Sequence, residues 1–462
     1  MAPLLTRRSF ALGSAAFAGL ALAACAPAGR SAARHGLGYG PLRPDPAGLL
    51  DLPEGFSYRI VSRLGDRMDE GFFVPDRADG MGAIPLDDRR IALIRNHELR
   101  PNHHADGPFR GSAVDAHGFD SPGGRPLPGG TTTIVYDYRA GRVEAQYLSL
   151  AGTIRNCAGG TTPWGSWLTC EEDVSRAGTN GLTRDHGWVF EVTPDARAVA
   201  DPVPLTAMGR FNHEAAAVDP RTGIVYLTED REDGLFYRFL PERRGRLHRG
   251  GRLQALAFAE ADRPADSRNA SGAVLPLQQW QPVRWVDLDE VESPEDDLRV
   301  RGHARGAALF ARGEGAHFAG GDLYFCCTSG GAAGLGQLMR YRPSRREGRS
   351  EERDAPGRLQ VFVESTDPET LNYCDNLTMA PTGHLILCED QGTQTVRNHL
   401  RGVTPLGALY PLAFLREQTE LAGACFSPDG ATLFVNLYLP TRTVAITGPW
   451  PSVGEGQPAA TP

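Results

Sequence analysis

The sequence predicts an all-β fold, a six-bladed β-propeller with a metal site in its axial channel, and three observations carry that expectation. Short apolar strands of about five residues, the average strand length, alternate with Gly- and Pro-rich turns and show no sustained helical period. A unit of small or apolar residues, a turn and an apolar strand recurs around Pro85, Pro163, Pro220, Gly320, Pro381 and Pro428. Several return strands then close on acids, as in Cys170-Glu171-Glu172, Thr228-Glu229-Asp230 and Cys388-Glu389-Asp390. A prior of about 150 residues per domain gives about three domains for this length, but a repeat fold overrides that count.

Residues 1–25 read as an export signal. Thr6-Arg7-Arg8-Ser9-Phe10 precedes an apolar run, from Ala15 to Ala24, that is too short and too rich in Ala and Gly to span a membrane. Leu22-Ala23-Ala24-Cys25 matches a bacterial lipobox, in which Cys25 becomes the lipidated first residue; cleavage after a nearby small residue is the alternative. Either way the mature chain is expected in the periplasm or cell envelope, with any membrane contact made through Cys25. Twin-arginine export suits a protein that loads its cofactor before crossing. Residues 26–48 are rich in Gly, Pro and Ala and read as a flexible linker; residues 49–450 are the propeller, and 451–462 a disordered tail.

The chain carries a net charge of −8 and contains no lysine, so its fixed cations are all Arg. This mild acidity excludes a nucleic-acid-binding surface. Guanidinium groups grip carboxylates and phosphates through a bidentate fork, although coding bias alone explains the missing lysine. Of the eight cysteines, Cys170, Cys326, Cys327, Cys388 and Cys425 lie in or beside apolar runs as small hydrophobes, and no spacing demands a disulfide. Cys157 stands apart at a strand head. Residues 241–271 and 342–358 read as exposed insertions, and 287–297 and 396–400 as short helices.

Stepping back six residues from each turn gives Asp79, Cys157, Glu214, Glu314, Asp375 and Ala422. Equivalent positions on the inner strands of a propeller surround one axis. Several carboxylates and a thiolate facing one another there disfavour their own ionisation, so the register predicts cations. A second ring falls where return strands end: Asn96-His97-Glu98, Cys170-Glu171-Glu172, Thr228-Glu229-Asp230, Thr328-Ser329, Cys388-Glu389-Asp390 and Leu433-Phe434-Val435-Asn436. Dense oxygen donors suit calcium, and the softer Cys157 suits a transition metal. No phosphate-cradling loop, nucleophile elbow or His-Glu-x-x-His zinc motif occurs at these sites.

With Asn156-Cys157-Ala158-Gly159-Gly160 through Thr169-Cys170-Glu171-Glu172, Arg210-Phe211-Asn212-His213-Glu214, Ala311-Arg312-Gly313-Glu314, Asp375-Asn376-Leu377 and Phe426-Ser427-Pro428-Asp429-Gly430, the chain resembles the PhoX-type bacterial alkaline phosphatases over most of residues 50–450. The resemblance implies a six-bladed propeller with ferric iron and calcium that hydrolyses phosphate monoesters, a small-molecule substrate class, and acts as a monomer. It implies iron-side roles for Cys157, Glu214, Glu314 and Asp375, calcium-side roles for Glu171 and Glu172, and phosphate binding by Arg312. Glu98 joins the metal candidates from the second ring, and Glu214 and Arg312 are the candidates for the reacting centre. The family also uses a lysine at the phosphate, which this chain lacks; Arg397, His399 and Arg401 are candidates to replace it. Two other readings stay open: a calcium-dependent propeller hydrolase of lactones or organophosphates, which has no need of Cys157, and a non-catalytic exported metal-binding propeller.

Overall fold

The computed structural model of the chain describes residues 36–110, 117–194, 197–260, 265–270, 275–391 and 396–454. The signal residues Arg7, Arg8 and Cys25 lie outside them. The segments ahead of the recurring turns form the inner strands Ala78–Pro85, Asn156–Thr161, His213–Val218, Gly313–Ala319, Cys374–Met379 and Leu421–Phe426. Each pairs antiparallel with the apolar strand that follows its turn. Each inner strand also lies beside the next, and Leu421–Phe426 returns to Ala78–Pro85, closing a ring. The result is an all-β, propeller-like arrangement. No helix among the described residues is long and apolar enough to cross a membrane.

Hydrogen bonding groups the strands into five sheets of four, three, nine, six and four strands, rather than the six separate blades expected. The nine-stranded sheet is continuous because Gln281–Asp287 pairs with Arg358–Glu364 through Gln281 and Pro282. Its two halves nevertheless pack face to face. Phe236 of one stacks on Phe325 of the other with centroids 4.3 Å apart, within a buried cluster that includes Tyr226, Phe310 and Tyr341. Apolar side chains therefore lie between neighbouring layers instead of filling one central core, as inward and outward alternation along each strand requires.

The fold takes in more chain at both ends than the sequence patterns indicate. Leu42–Arg43 pairs with Leu50–Pro53, which adds to the strand Leu409–Leu415, and Gly38 and Gly454 exchange two backbone hydrogen bonds of 2.8 Å. Ser57–Arg63 pairs with Arg442–Thr447, tying the start of the chain to its last sheet. Three other expectations are corrected. Residues 241–271 hold the buried strand Gly251–Phe258, whose Leu253, Leu256 and Phe258 enter the core. Asp287 ends a strand and residues 288–297 are irregular, with left-handed backbone at Glu290, Ser293 and Asp296; the helix instead spans Leu298–Ala304. Residues 396–400 run into the strand His399–Val403, because pairing on both edges overrides the local helical pattern.

Candidate metal centre

The six inner strands share one local irregularity: near its start, each places an extra residue against its partner strand. Such bulges re-aim side chains. The first extra residue is Asp79, Cys157, Glu214, Glu314 and Asp375 on five strands. On the sixth it is Gly423, not Ala422, which pairs normally with Asn436. The last turn comes one residue early at Pro428, so counting back six positions lands one residue short. The second bulge position is small where strands crowd: a Cβ on Gly80 would come within 2.6 Å of the Ala158 Cα, and one on Gly315 within 2.7 Å of the Asn376 Cα. Side chains from neighbouring elements hold the bulge carbonyls. Asn436 donates to Asp79 O at 2.6 Å, Asn96 to Cys157 O at 2.9 Å and Thr228 to Glu314 O at 2.6 Å. The acids are thus set on braced backbone before anything binds.

Among the described residues, three groups hold donor atoms within 4.8 Å of one another: Cys157, Glu172 and Glu214; Glu214, Glu314 and Asp375; Asp375, Asp390 and Glu420. Glu214 and Asp375 each belong to two groups, so the three form one chain of sites. The electrostatics match. Burial, then Glu172, Asp375 and Asp79, hold the Glu214 carboxyl well above its usual range. Burial, then Asp230, Glu214 and Asp375, do the same to Glu314. Asp375 is pushed up to about 7 by burial and by Asp390. Burial, then Glu214 and Glu172, raise the Cys157 thiol. Like charges this close and this buried are relieved by cations. The donor sets fit two kinds: a thiolate with carboxylates suits a transition metal, and the all-oxygen group around Asp390 and Glu420 suits a hard cation.

Arg312 stands over this ring. Its Nε and one terminal nitrogen fork onto Asp230 at 2.8 and 2.9 Å, and the same nitrogen reaches Glu314 at 2.7 Å. It precedes its strand with φ +49°, so a left-handed kink, rather than strand alternation, brings it beside Glu314.

The sequence of the alkaline phosphatase PhoX family matches residues 37–117 and 137–441. The chain belongs to the PhoX family of alkaline phosphatases. Membership makes it a phosphoester hydrolase. The solved PhoX of Pseudomonas fluorescens, in complex with vanadate as a transition-state analogue, is 20% identical, with a TM-score of 0.64 over 92% of this chain and all of that one. A gluconolactonase from Xanthomonas campestris is 14% identical with a TM-score of 0.41, covering 89% of this chain and 98% of that one. A comparison with curated proteins found no match.

Of the two acids to which the PhoX resemblance gives calcium-side roles, Glu172 joins the donor group of Cys157 and Glu214, and Glu171 joins none of the three groups. Its carboxylate faces away from the channel, accepting from His186 at 2.7 Å and from the backbone N–H groups of Ile154, Gly187 and Trp188. Glu229 and Glu389, at the equivalent strand ends, likewise accept from loop N–H groups. Adjacent strand residues face opposite ways, so Glu172 enters the ring and Glu171 braces a loop. Glu98 is bonded to Arg155 at 2.7 Å and Tyr438 at 2.6 Å, outside the three donor groups. Glu420 carries no register signal and is missed by the sequence. Arg155 does leave one, because Arg77-Ala78-Asp79, Arg155-Asn156-Cys157 and Arg312-Gly313-Glu314 each place Arg two residues before the bulge residue.

The fully buried His186 also contacts Asp120 at 3.3 Å. Burial alone would depress its pKa, but Glu171 and Asp120 hold it up to about 9, against 6.5 when unfolded. A raised folded pKa stabilises fully below the unfolded value and loses that contribution as pH climbs through the folded one. Thermal unfolding midpoints should therefore fall between pH 6.5 and 9, and His186→Gln should flatten that part of the profile; a wild-type midpoint constant over this range would contradict the pairing.

Proposed function

We propose that this protein hydrolyses phosphate monoesters at the mouth of its axial channel, with ferric iron held by the groups containing Cys157, Glu172, Glu214, Glu314 and Asp375, and calcium by the group containing Asp375, Asp390 and Glu420. The observation that carries this reading is the chain of three donor groups joined by Glu214 and Asp375, with Arg312 against Glu314. Bound there, these cations supply charge neutralisation and Lewis acidity toward a phosphate ester. Arg312 binds the phosphoryl oxygens with its planar fork and stabilises charge that develops on them during in-line displacement. Asp230 presets that fork by holding Nε and one terminal nitrogen. Glu214, shared by two donor groups, fixes their spacing.

The finer reading of the fold counts six blades, taking the nine-stranded sheet as two. The chain acts as a monomer in the periplasm or cell envelope after twin-arginine export directed by Arg7 and Arg8, with Cys25 as a lipid anchor. Cys157 favours this over a calcium-dependent lactonase, for which a buried thiol beside two carboxylates has no use. Turnover of a chromogenic phosphomonoester, a phosphodiester and a lactone by metal-replete protein, with and without chelator, tests the proposal. Phosphomonoester hydrolysis lost on chelation is expected; lactone hydrolysis alone, or no turnover of any of the three, would overturn it.

A further inference from the structure

Resting on the phosphatase reading above, we propose that Arg155 is a second phosphate-binding residue, gripping the phosphoryl group together with Arg312 from the other side of Glu214. The two are placed by one structural device. Each immediately precedes an inner strand in left-handed backbone, with φ +44° at Arg155 and +49° at Arg312, a conformation uncommon for a non-glycine residue. Each thereby leans over the bulge residue two positions on, Cys157 or Glu314. Their strands, Asn156–Thr161 and Gly313–Ala319, flank the strand that carries Glu214, one on each side.

Their surroundings correspond as well. Arg155 reaches Glu172 at 2.5 Å, in the donor group with Cys157 and Glu214. Arg312 reaches Glu314, in the donor group with Glu214 and Asp375. Each is steadied by a further carboxylate, Glu98 at 2.7 Å for Arg155 and Asp230 at 2.8 Å for Arg312. Each side chain is partly exposed, 19% and 29%; they differ in that the other terminal nitrogen of Arg155 also donates to the Glu172 backbone carbonyl at 2.9 Å, a bond that phosphate binding would exchange. Arg77 precedes its strand in the same conformation but turns to Asp106 at 3.0 Å.

Arg397, His399 and Arg401 are engaged elsewhere. His399 and Arg401 both bind Glu389, at 3.1 and 2.8 Å, on the side of the strand that braces loops. Arg397 is exposed and pairs with Glu369 at 3.5 Å. In a chain without lysine, Arg155 is the guanidinium placed like Arg312 on the ring. Two planar forks converging on one phosphoryl group give more geometric selection than one, because each fixes a pair of oxygens.

The competing role is charge balance alone, with Arg155 neutralising Glu98 and Glu172. Calorimetric binding of inorganic phosphate to metal-loaded Arg155→Ala and Arg155→Lys proteins, with KM for a chromogenic phosphomonoester, metal content and melting temperature on the same preparations, separates the two. Arg155→Ala should weaken phosphate binding and raise KM by about 10- to 100-fold, the range for losing a charge-assisted hydrogen bond, with metal content near wild type. Arg155→Lys, which keeps the charge and guards against a folding failure, should fall between. Unchanged phosphate affinity in both variants, or metal and stability lost in proportion to affinity, would overturn the inference while leaving the phosphatase reading standing. A metal-loaded wild type without phosphomonoester turnover would overturn that reading and this inference with it.

Discussion

Replacing Glu214 with Gln should lower phosphomonoester turnover by about three orders of magnitude or more and strip metal from the channel. The residue belongs to two of the three donor groups, so one isosteric change removes a ligand from both. A bound cation contributes several kcal/mol of transition-state stabilisation, and about 1.4 kcal/mol is tenfold in rate. The fold should survive. In metal-free protein Glu214 is an acid whose pKa is raised by burial first and then by Glu172, Asp375 and Asp79. A raised acid pKa makes the folded state bind its proton more tightly, so metal-free protein loses stability as pH rises past the unfolded value of 4.5. Gln cannot ionise, so the metal-free variant should melt higher than metal-free wild type at neutral pH. Turnover and metal content both at wild-type levels would contradict the shared-ligand account, and a lower metal-free melting temperature would contradict its electrostatics.

Arg312→Ala should cut turnover by about two to three orders of magnitude, by analogy with loss of one preorganised donor to a developing charge. Metal content should stay near wild type, because a guanidinium is not a ligand. Its bonds to Asp230 and Glu314 make the alternative concrete: Arg312 as a counter-ion for two acids of the ring. Under that alternative, activity and metal would fall together. Arg312→Lys distinguishes further, since an ammonium restores the charge without the fork and should recover metal-site neutrality but little turnover. Kinetics and metal stoichiometry measured on one preparation decide between them.

Much of this was legible in the sequence because one physical feature repeats. The distance from bulge to turn is constant on five inner strands, so counting back from the turn reached Asp79, Cys157, Glu214, Glu314 and Asp375 without an alignment. The count failed at Ala422, where an early Pro428 shifts the frame and the bulge falls on Gly423. It could not separate Glu171 from Glu172, because the pattern does not mark which neighbour ends the ladder and turns inward. Glu420 lies before its strand, outside any register. Arg155 and Arg312 depend on a left-handed residue at the strand entrance, and no glycine marks that conformation in either. The number of sheets was illegible for a different reason. Pairing of Gln281 and Pro282 with Arg358–Glu364 joins two layers, and strand periodicity does not mark such a contact between layers. Glu98, Arg397, His399 and Arg401 show the limit of residue type alone: each carries a competent side chain, and their partners decide their roles.

The proposed chemistry requires cations among the thiolate and carboxylates of the three donor groups, which otherwise repel one another. Elemental analysis of protein purified from its native host, without added metal, tests this most directly. Iron and calcium both bound above background, with iron lost in Cys157→Ser but retained in Cys326→Ser, is the predicted result; neither metal present, or equal loss of iron from the two variants, would contradict it.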